Sequence, residues 1–343
     1  MKKKIFFSIL LQLSFIAFMR SQEMSIKDYG YTHIQYTYKS DIVDILIKSK
    51  QGEENIAKPI FLFCQGSLPQ PLLIIREQGA YDVFPFNTDS LVNQYHLVIV
   101  SKPYVPLIGY AKDLLPNMSF VDSTGLFPKK YSDRNLLTYY VDRNIEIIKY
   151  LQKQTWVSDE QLVVAGHSEG STVAAKMASI FPSISHLIYA GGNPMGRIMS
   201  IVQRERARET YTDSTRYGEN VVDYWQQVVD DKTSMDATQR DPYQTTYEFS
   251  YPPFEYLKDL KIPVLVCYGT KDMTAPFNDF LRIDCIRNEK NNFQFNAYVG
   301  TEHNFFPLTT EGKPNYDIDN WDKVANDWIT WLDKNKKTEN NRH

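Results

Sequence analysis

Apolar residues along this chain follow two rhythms. Short runs that are apolar at nearly every position alternate with longer stretches in which apolar residues recur every three or four places. The first kind suits strands buried on both faces of a parallel sheet, and the second suits helices packed over it. The runs are 59–64 (PIFLFC), 95–101 (YHLVIVS), 162–165 (LVVA), 184–192 (ISHLIYAGG), 262–268 (IPVLVCY) and 293–299 (FQFNAYV). Ahead of them, 33–38 and 41–48 alternate with period two, which predicts an antiparallel pair at a sheet edge. Helical spacing marks 133–154, where Leu136, Tyr140, Ile145, Ile148 and Leu151 share a side and Ser132 is the expected N-cap. It returns after Ser168, near 278–287 and over 321–334, with a weaker piece at 87–94. Alternation of this kind predicts an α/β fold.

Two stretches break the alternation. Residues 102–131 read as a long irregular loop rich in Pro, Gly and aromatics, following the C-terminal end of a strand, where α/β sites lie. Residues 195–258 read as a mainly helical insertion lying over the site. Arg197, Arg204, Arg206 and Arg208 share one helical candidate, Val221, Val222, Trp225, Val228 and Val229 another, and aromatics from Tyr243 to Tyr256 crowd the exit. The arginines are expected to form a solvated face paired with Glu205 and Glu209, the alternative being a grip on an acidic substrate.

The chemistry centres on residues 161–178, QLVVAGHSEGSTVAAKMA. A buried strand, then Gly166-His167-Ser168-Glu169-Gly170, then an Ala-rich helix is the setting in which G-x-S-x-G has a mechanical meaning. Ser168 would sit on a sharp, strained turn at the helix N-terminus, where free N–H groups favour developing negative charge. Gly166 and Gly170 would remove side chains where strand and helix approach too closely. Asp272 and His303 each sit just past another buried strand, so three strand ends in one parallel sheet can bring the three side chains to one rim. Serine needs a neutral imidazole to take its proton, and the imidazole needs a carboxylate to fix its tautomer. The order Ser168, Asp272, His303 is the one expected of this sheet type.

Those residues carry a resemblance. Over roughly 30–335 the chain resembles the α/β-hydrolase-fold serine hydrolases, through GHSEG, Gly269-Thr270-Lys271-Asp272 and Gly300-Thr301-Glu302-His303. The GHSEG form is similar to the dienelactone-hydrolase and acyl-thioesterase side of the superfamily and to the catalytic domains of prolyl-oligopeptidase-like enzymes. The resemblance implies a mostly parallel eight-stranded sheet with helices on both faces and a helical cap inserted after the sixth strand. It divides the chain into a catalytic domain, 30–194 with 259–337, and a cap, 195–258. An oxyanion hole would take the N–H of Glu169 and one from the loop after the strand ending at Cys64. Gln65-Gly66-Ser67 stands there where related enzymes often have His-Gly, so Ser67 N–H is the expected donor and Gly66 the alternative.

Composition narrows the picture. A net charge of -3 with no basic tract beyond the N-terminus leaves no footprint for nucleic acid. Three cysteines in no metal-like spacing exclude a disulfide framework; Cys64 and Cys267 fall in apolar runs, and a Cys267–Cys285 bridge stays open. No metal site and no cofactor is expected. Lys2, Lys3 and Lys4 before an apolar run from Ile5 to Phe18 have the layout of a signal peptide over 1–21, which predicts export with cleavage near Ser21 and no stable membrane insertion after its removal, the alternative being an uncleaved N-terminal anchor. The other histidines, His33, His96, His167, His186 and His343, are expected to be structural, with His167 pointing away from the nucleophile. Glu302 is too close in sequence to His303 to orient its ring.

Together these readings predict an exported serine hydrolase acting on a small carboxylic ester or thioester through an acyl-enzyme, a short peptide being the substrate only of the first rival. Two rivals stand beside it. One is a peptidase with the same triad; the other is a silent binding protein of the same fold, which would be expected to have lost a triad member. Oligomeric state is not readable from the sequence.

Overall fold

The computed structural model describes residues 25–336, apart from 78, 83, 212, 213 and 237–240. The leader-like segment 1–21 and the tail bearing His343 lie outside the described residues.

Eleven strands occur among the described residues: β1 (Tyr31–Tyr38), β2 (Asp41–Lys48), β3 (Lys58–Cys64), β4 (Leu73–Arg76), β5 (Gly79–Asp82), β6 (His96–Val100), β7 (Ile108–Tyr110), β8 (Val157–His167), β9 (His186–Ala190), β10 (Val264–Gly269) and β11 (Phe293–Tyr298). Eight of them make one sheet in the order β1-β2-β6-β3-β8-β9-β10-β11. Pairing from β6 onward is parallel, while β1–β2 and β2–β6 are antiparallel. The period-two segments therefore form the mixed edge that their alternation predicts.

Covering both faces explains the nearly continuous apolar runs. In β3, Ile60, Leu62 and Cys64 enter one core while Phe61 and Phe63 enter the other, and in β8 Leu162 and Val164 part from Val163 and Ala165 in the same way. The first core is completed by α3 (Leu137–Leu151), α4 (Glu169–Ile180) and α9 (Ala275–Arg287). On the opposite face, α1 (Asp89–Val92) and α10 (Trp321–Lys334) cover the second, where Trp328 is fully buried against Phe61, Phe63 and Phe86.

Two sequence expectations need correction. Ser132 does not cap the long helix: it ends a single turn, α2 (Lys129–Ser132), and α3 starts only at Leu137. Between them Arg134 is drawn to Asp41 (2.7 Å) and Leu136 is extended, while the free amide of Thr138 is taken by the Glu248 carboxylate at 2.8 Å. The helix start is thus set by a residue distant in sequence. Nor is 102–131 structureless, since β7 pairs with β4, which pairs with β5, in a small separate sheet.

After β9, the sixth strand of the large sheet in chain order, come α5 (Arg197–Arg206), α6 (Tyr217–Asp230), α7 (Tyr243–Ser250) and the one-turn α8 (Phe254–Leu257). Of the apolar stripe on α6, Val221 and Val228 are buried, whereas Val222 and Val229 face solvent.

Candidate active site

Ser168 sits between β8 and α4 with φ 57° and ψ -125°, backbone angles that L side chains avoid. The turn is held by Ser168 N–H donating to Ala190 O (2.9 Å) and by Ser171 donating through its hydroxyl to Ser168 O (2.6 Å). A Cβ on Gly166 would run into the Gly170 carbonyl, and one on Gly170 into the Cys64 carbonyl. Glycine at both places lets strand, turn and helix close on one another, and the close approach presents the Ser168 hydroxyl above the sheet edge.

Asp272 follows β10 and His303 follows β11, neighbouring parallel strands that end on the same sheet edge as β8, with β9 between. His303 Nε2 lies 2.9 Å from Ser168 Oγ, and its Nδ1 lies 2.7 Å from Asp272 Oδ2. Because a carboxylate only accepts, Nδ1 carries the proton and Nε2 accepts from the serine hydroxyl. The Asp272 side chain is buried, and its other oxygen accepts from Thr274 N–H at 2.9 Å. Burial alone would raise its pKa, but the His303 hydrogen bond and charge, with Thr274, outweigh this and hold it below the ordinary carboxylate value. For His303 burial opposes the charged form, yet the Asp272 hydrogen bond and charge prevail and raise its pKa. The three residues therefore meet as their strand-end positions predict. Glu302 instead shapes the loop, accepting from the N–H groups of Asn304 (2.8 Å) and Phe306 (3.1 Å).

At the loop expected to give the second oxyanion donor, a Cβ on Gly66 would lie 3.6 Å from Ser168 Cβ, so residues 65–67 abut Ser168. Ser67 is exposed, and its carbonyl accepts from the Tyr131 hydroxyl at 3.1 Å. The N–H groups of Glu169, Gly66 and Ser67 have no acceptor among the described residues.

Sequence reasoning missed three neighbours. His167 does not point away: it is buried under the site, its Nε2–H donates to His303 O (3.1 Å), and its ring lies 5.1 Å from that of His303. Burial, and next the nearby His303, lower its pKa to about 3, so the ring is neutral. Arg197 does not join a solvated face but pairs with Glu169, the residue after Ser168, and with Asp241 (2.7 Å). Lys102 is buried just past β6 with Nζ 3.9 Å from Glu169 Oε1 and 4.5 Å from the centre of the Tyr140 ring. Burial, then the guanidiniums of Arg143 and Arg197, bring its pKa down to about 7. Its place after a strand end was the available signal. The remaining arginines of this stretch follow expectation, Arg204 and Arg208 pairing with Glu205, and Arg206 with Glu209 and also Glu219.

The histidines His33, His96 and His186 bond to Asp44, to Ser49 and Ile56, and to Ser185 and Asn335, all away from Ser168. Cys64, Cys267 and Cys285 are buried and unpaired. Among the described residues no three His, Cys, Asp or Glu side chains are grouped to hold a metal.

No protein-family model matches the chain, and no curated protein matches it in sequence. Solved structures do. Acylaminoacyl peptidase from Pyrococcus horikoshii is 13% identical over 91% of this chain and 43% of its own, with a TM-score of 0.54. Est1E from Butyrivibrio proteoclasticus, with ferulic acid bound, is 12% identical over 87% of this chain and 98% of its own (TM-score 0.52). The α/β hydrolase GrgF from Penicillium is 10% identical over 90% and 99% (TM-score 0.50). This chain has the α/β-hydrolase fold. It spans less than half the length of the P. horikoshii peptidase it matches. Within an α/β-hydrolase fold, the rim where Ser168, Asp272 and His303 meet is the C-terminal edge of the parallel strands, the usual site of α/β chemistry.

Proposed function

We propose that this chain is an exported serine hydrolase that cleaves carboxylic ester or thioester bonds through an acyl-enzyme. The observation that carries the reading is the unbroken hydrogen-bond line from Ser168 Oγ through His303 to buried Asp272, at 2.9 and 2.7 Å. Ser168 Oγ attacks the carbonyl carbon while its proton passes to His303 Nε2. Asp272 stabilises the imidazolium without taking the proton itself. The tetrahedral oxyanion is held by Glu169 N–H and by Ser67 N–H, with Gly66 N–H the alternative donor. Collapse expels the alcohol or thiol, which takes the proton from His303, and a water activated by the same imidazole then releases the acid. His167, donating to the His303 carbonyl, is a positioning residue. Export rests on the lysines at 2–4 and the apolar run after them.

A fluorophosphonate probe tests the nucleophile. It should label the protein once, and Ser168→Ala should abolish the label; labelling that persists in that variant refutes the assignment. A panel of p-nitrophenyl esters, acyl thioesters and aminopeptide anilides then separates ester from peptide cleavage. Turnover of the anilides alone would favour the peptidase reading, which the likeness to acylaminoacyl peptidase keeps in view.

A further inference from the structure

A cavity of about 560 Å³ opens within the cap, between α5, α6 and α7. That is the size range of small-molecule sites. Among the described residues its lining carries three arginines, Arg197, Arg204 and Arg208, against two carboxylates, Glu205 and Asp241. Arg204 and Arg208 share a single carboxylate, Glu205, through Arg204 Nε (3.1 Å) and Arg208 Nη1 (2.6 Å). Both arginine side chains remain more than half exposed, at 57% and 58%, while that of Glu205 is largely covered at 16%. Arg208 is steadied by the Tyr217 ring, 4.6 Å away, and the Nη groups of Arg204 have no acceptor among the described residues. Two cations on one anion leave one positive charge and a set of unused donors facing the cavity.

The other arginines of the insertion differ. Arg206 meets two carboxylates, Glu209 and Glu219, and Arg197 is held between Glu169 and Asp241. On the cavity wall Arg197, Arg204 and Arg208 stand against Glu205 and Asp241, which leaves one positive charge among the described lining residues. A guanidinium fork matches carboxylate or phosphate oxygens. One surplus charge favours a singly charged anion over a phosphate carrying nearly two. Ile201 and Val221 give the cavity apolar wall beside the ring of Tyr224, which suits the body of an organic acid. Arg197 forms part of the same wall and pairs with Glu169, so the cavity and the nucleophile turn share one side chain.

We propose that this cavity binds an organic monocarboxylate, its carboxylate on Arg204 and Arg208 and its apolar body against Ile201 and Val221. The acid can be the far end of a substrate or a separate effector, and the same experiment tells which. Isothermal titration of the full chain with benzoate, 4-phenylbutyrate and 6-phenylhexanoate should give saturable binding at about millimolar or tighter for at least one of them. Arg204→Gln/Arg208→Gln should weaken it by about tenfold or more. Arg206→Gln, outside the cavity, should bind as the parent does, which controls for general loss of positive charge. No saturable binding of any of the three acids, or equal affinity in the double variant, overturns the proposal. Competition with p-nitrophenyl acetate turnover assigns the cavity to the substrate path; binding without competition assigns it to an effector. Should that ester not be turned over and the phosphonate not label Ser168, the hydrolase reading fails while the titration still decides the cavity.

Discussion

Replacing His167 by phenylalanine tests whether the loop bearing His303 is held from beneath. The change keeps a planar ring between His303, Phe305 and Trp321 and deletes one donor, the Nε2–H that reaches His303 O at 3.1 Å. A carbonyl left without its partner in a partly buried place costs about 1–3 kcal/mol. If that cost is expressed as misplacement of the His303 ring, kcat/KM should fall by between about 5-fold and about 150-fold. His167→Gln offers an amide donor at a similar reach and should recover part of the loss. The assay is hydrolysis of a p-nitrophenyl ester, with thermal unfolding followed by circular dichroism in parallel. A variant with a lowered Tm but unchanged kcat/KM would refute the reasoning, because His167 would then serve stability alone. Since the ring is already neutral, with a pKa of about 3, the substitution removes no charge that could account for a rate effect.

Because Asp272 raises the His303 pKa, the acid limb of kcat/KM should inflect above the ordinary imidazole value of about 6.5, activity rising with pH as Nε2 loses its proton. Asp272→Asn should move that inflection down and lower kcat on the order of 10⁴-fold; an unmoved inflection in the pH–rate profile would count against Asp272 as the partner. Glu248→Ala removes the acceptor that caps α3 at Thr138 N–H and hydroxyl, both 2.8 Å away, and should cost about 0.5–2 kcal/mol in denaturant unfolding, whereas Glu248→Gln should cost less.

Much of this molecule can be read from its chain, and the parts that can are local. The doubly covered sheet follows from runs such as 59–64, because a strand apolar on both faces has few other places to go. The turn at Ser168 follows from two glycines whose Cβ atoms would collide with backbone. Asp272 and His303 were legible because both close strands that end at one rim. What escaped depends on partners distant in sequence. The start of α3 is decided by Glu248, more than a hundred residues on, and Ser132 is a better N-cap only in isolation. His167 looked structural because nothing near it in sequence reveals that the His303 carbonyl comes back to meet it. Arg197 reads as one more arginine on a charged helix, yet it lies at the helix start nearest the rim and reaches Glu169.

The angles at Ser168 carry a consequence for how the protein tolerates change. At φ 57° and ψ -125° the residue most at ease is glycine, which would relax a conformation costing on the order of 1 kcal/mol and would silence the chemistry in the same stroke. Endurance and reactivity thus pull against each other at one position. If Ser168 is the nucleophile proposed above, a version selected only for resistance to heat would drift toward an inert protein.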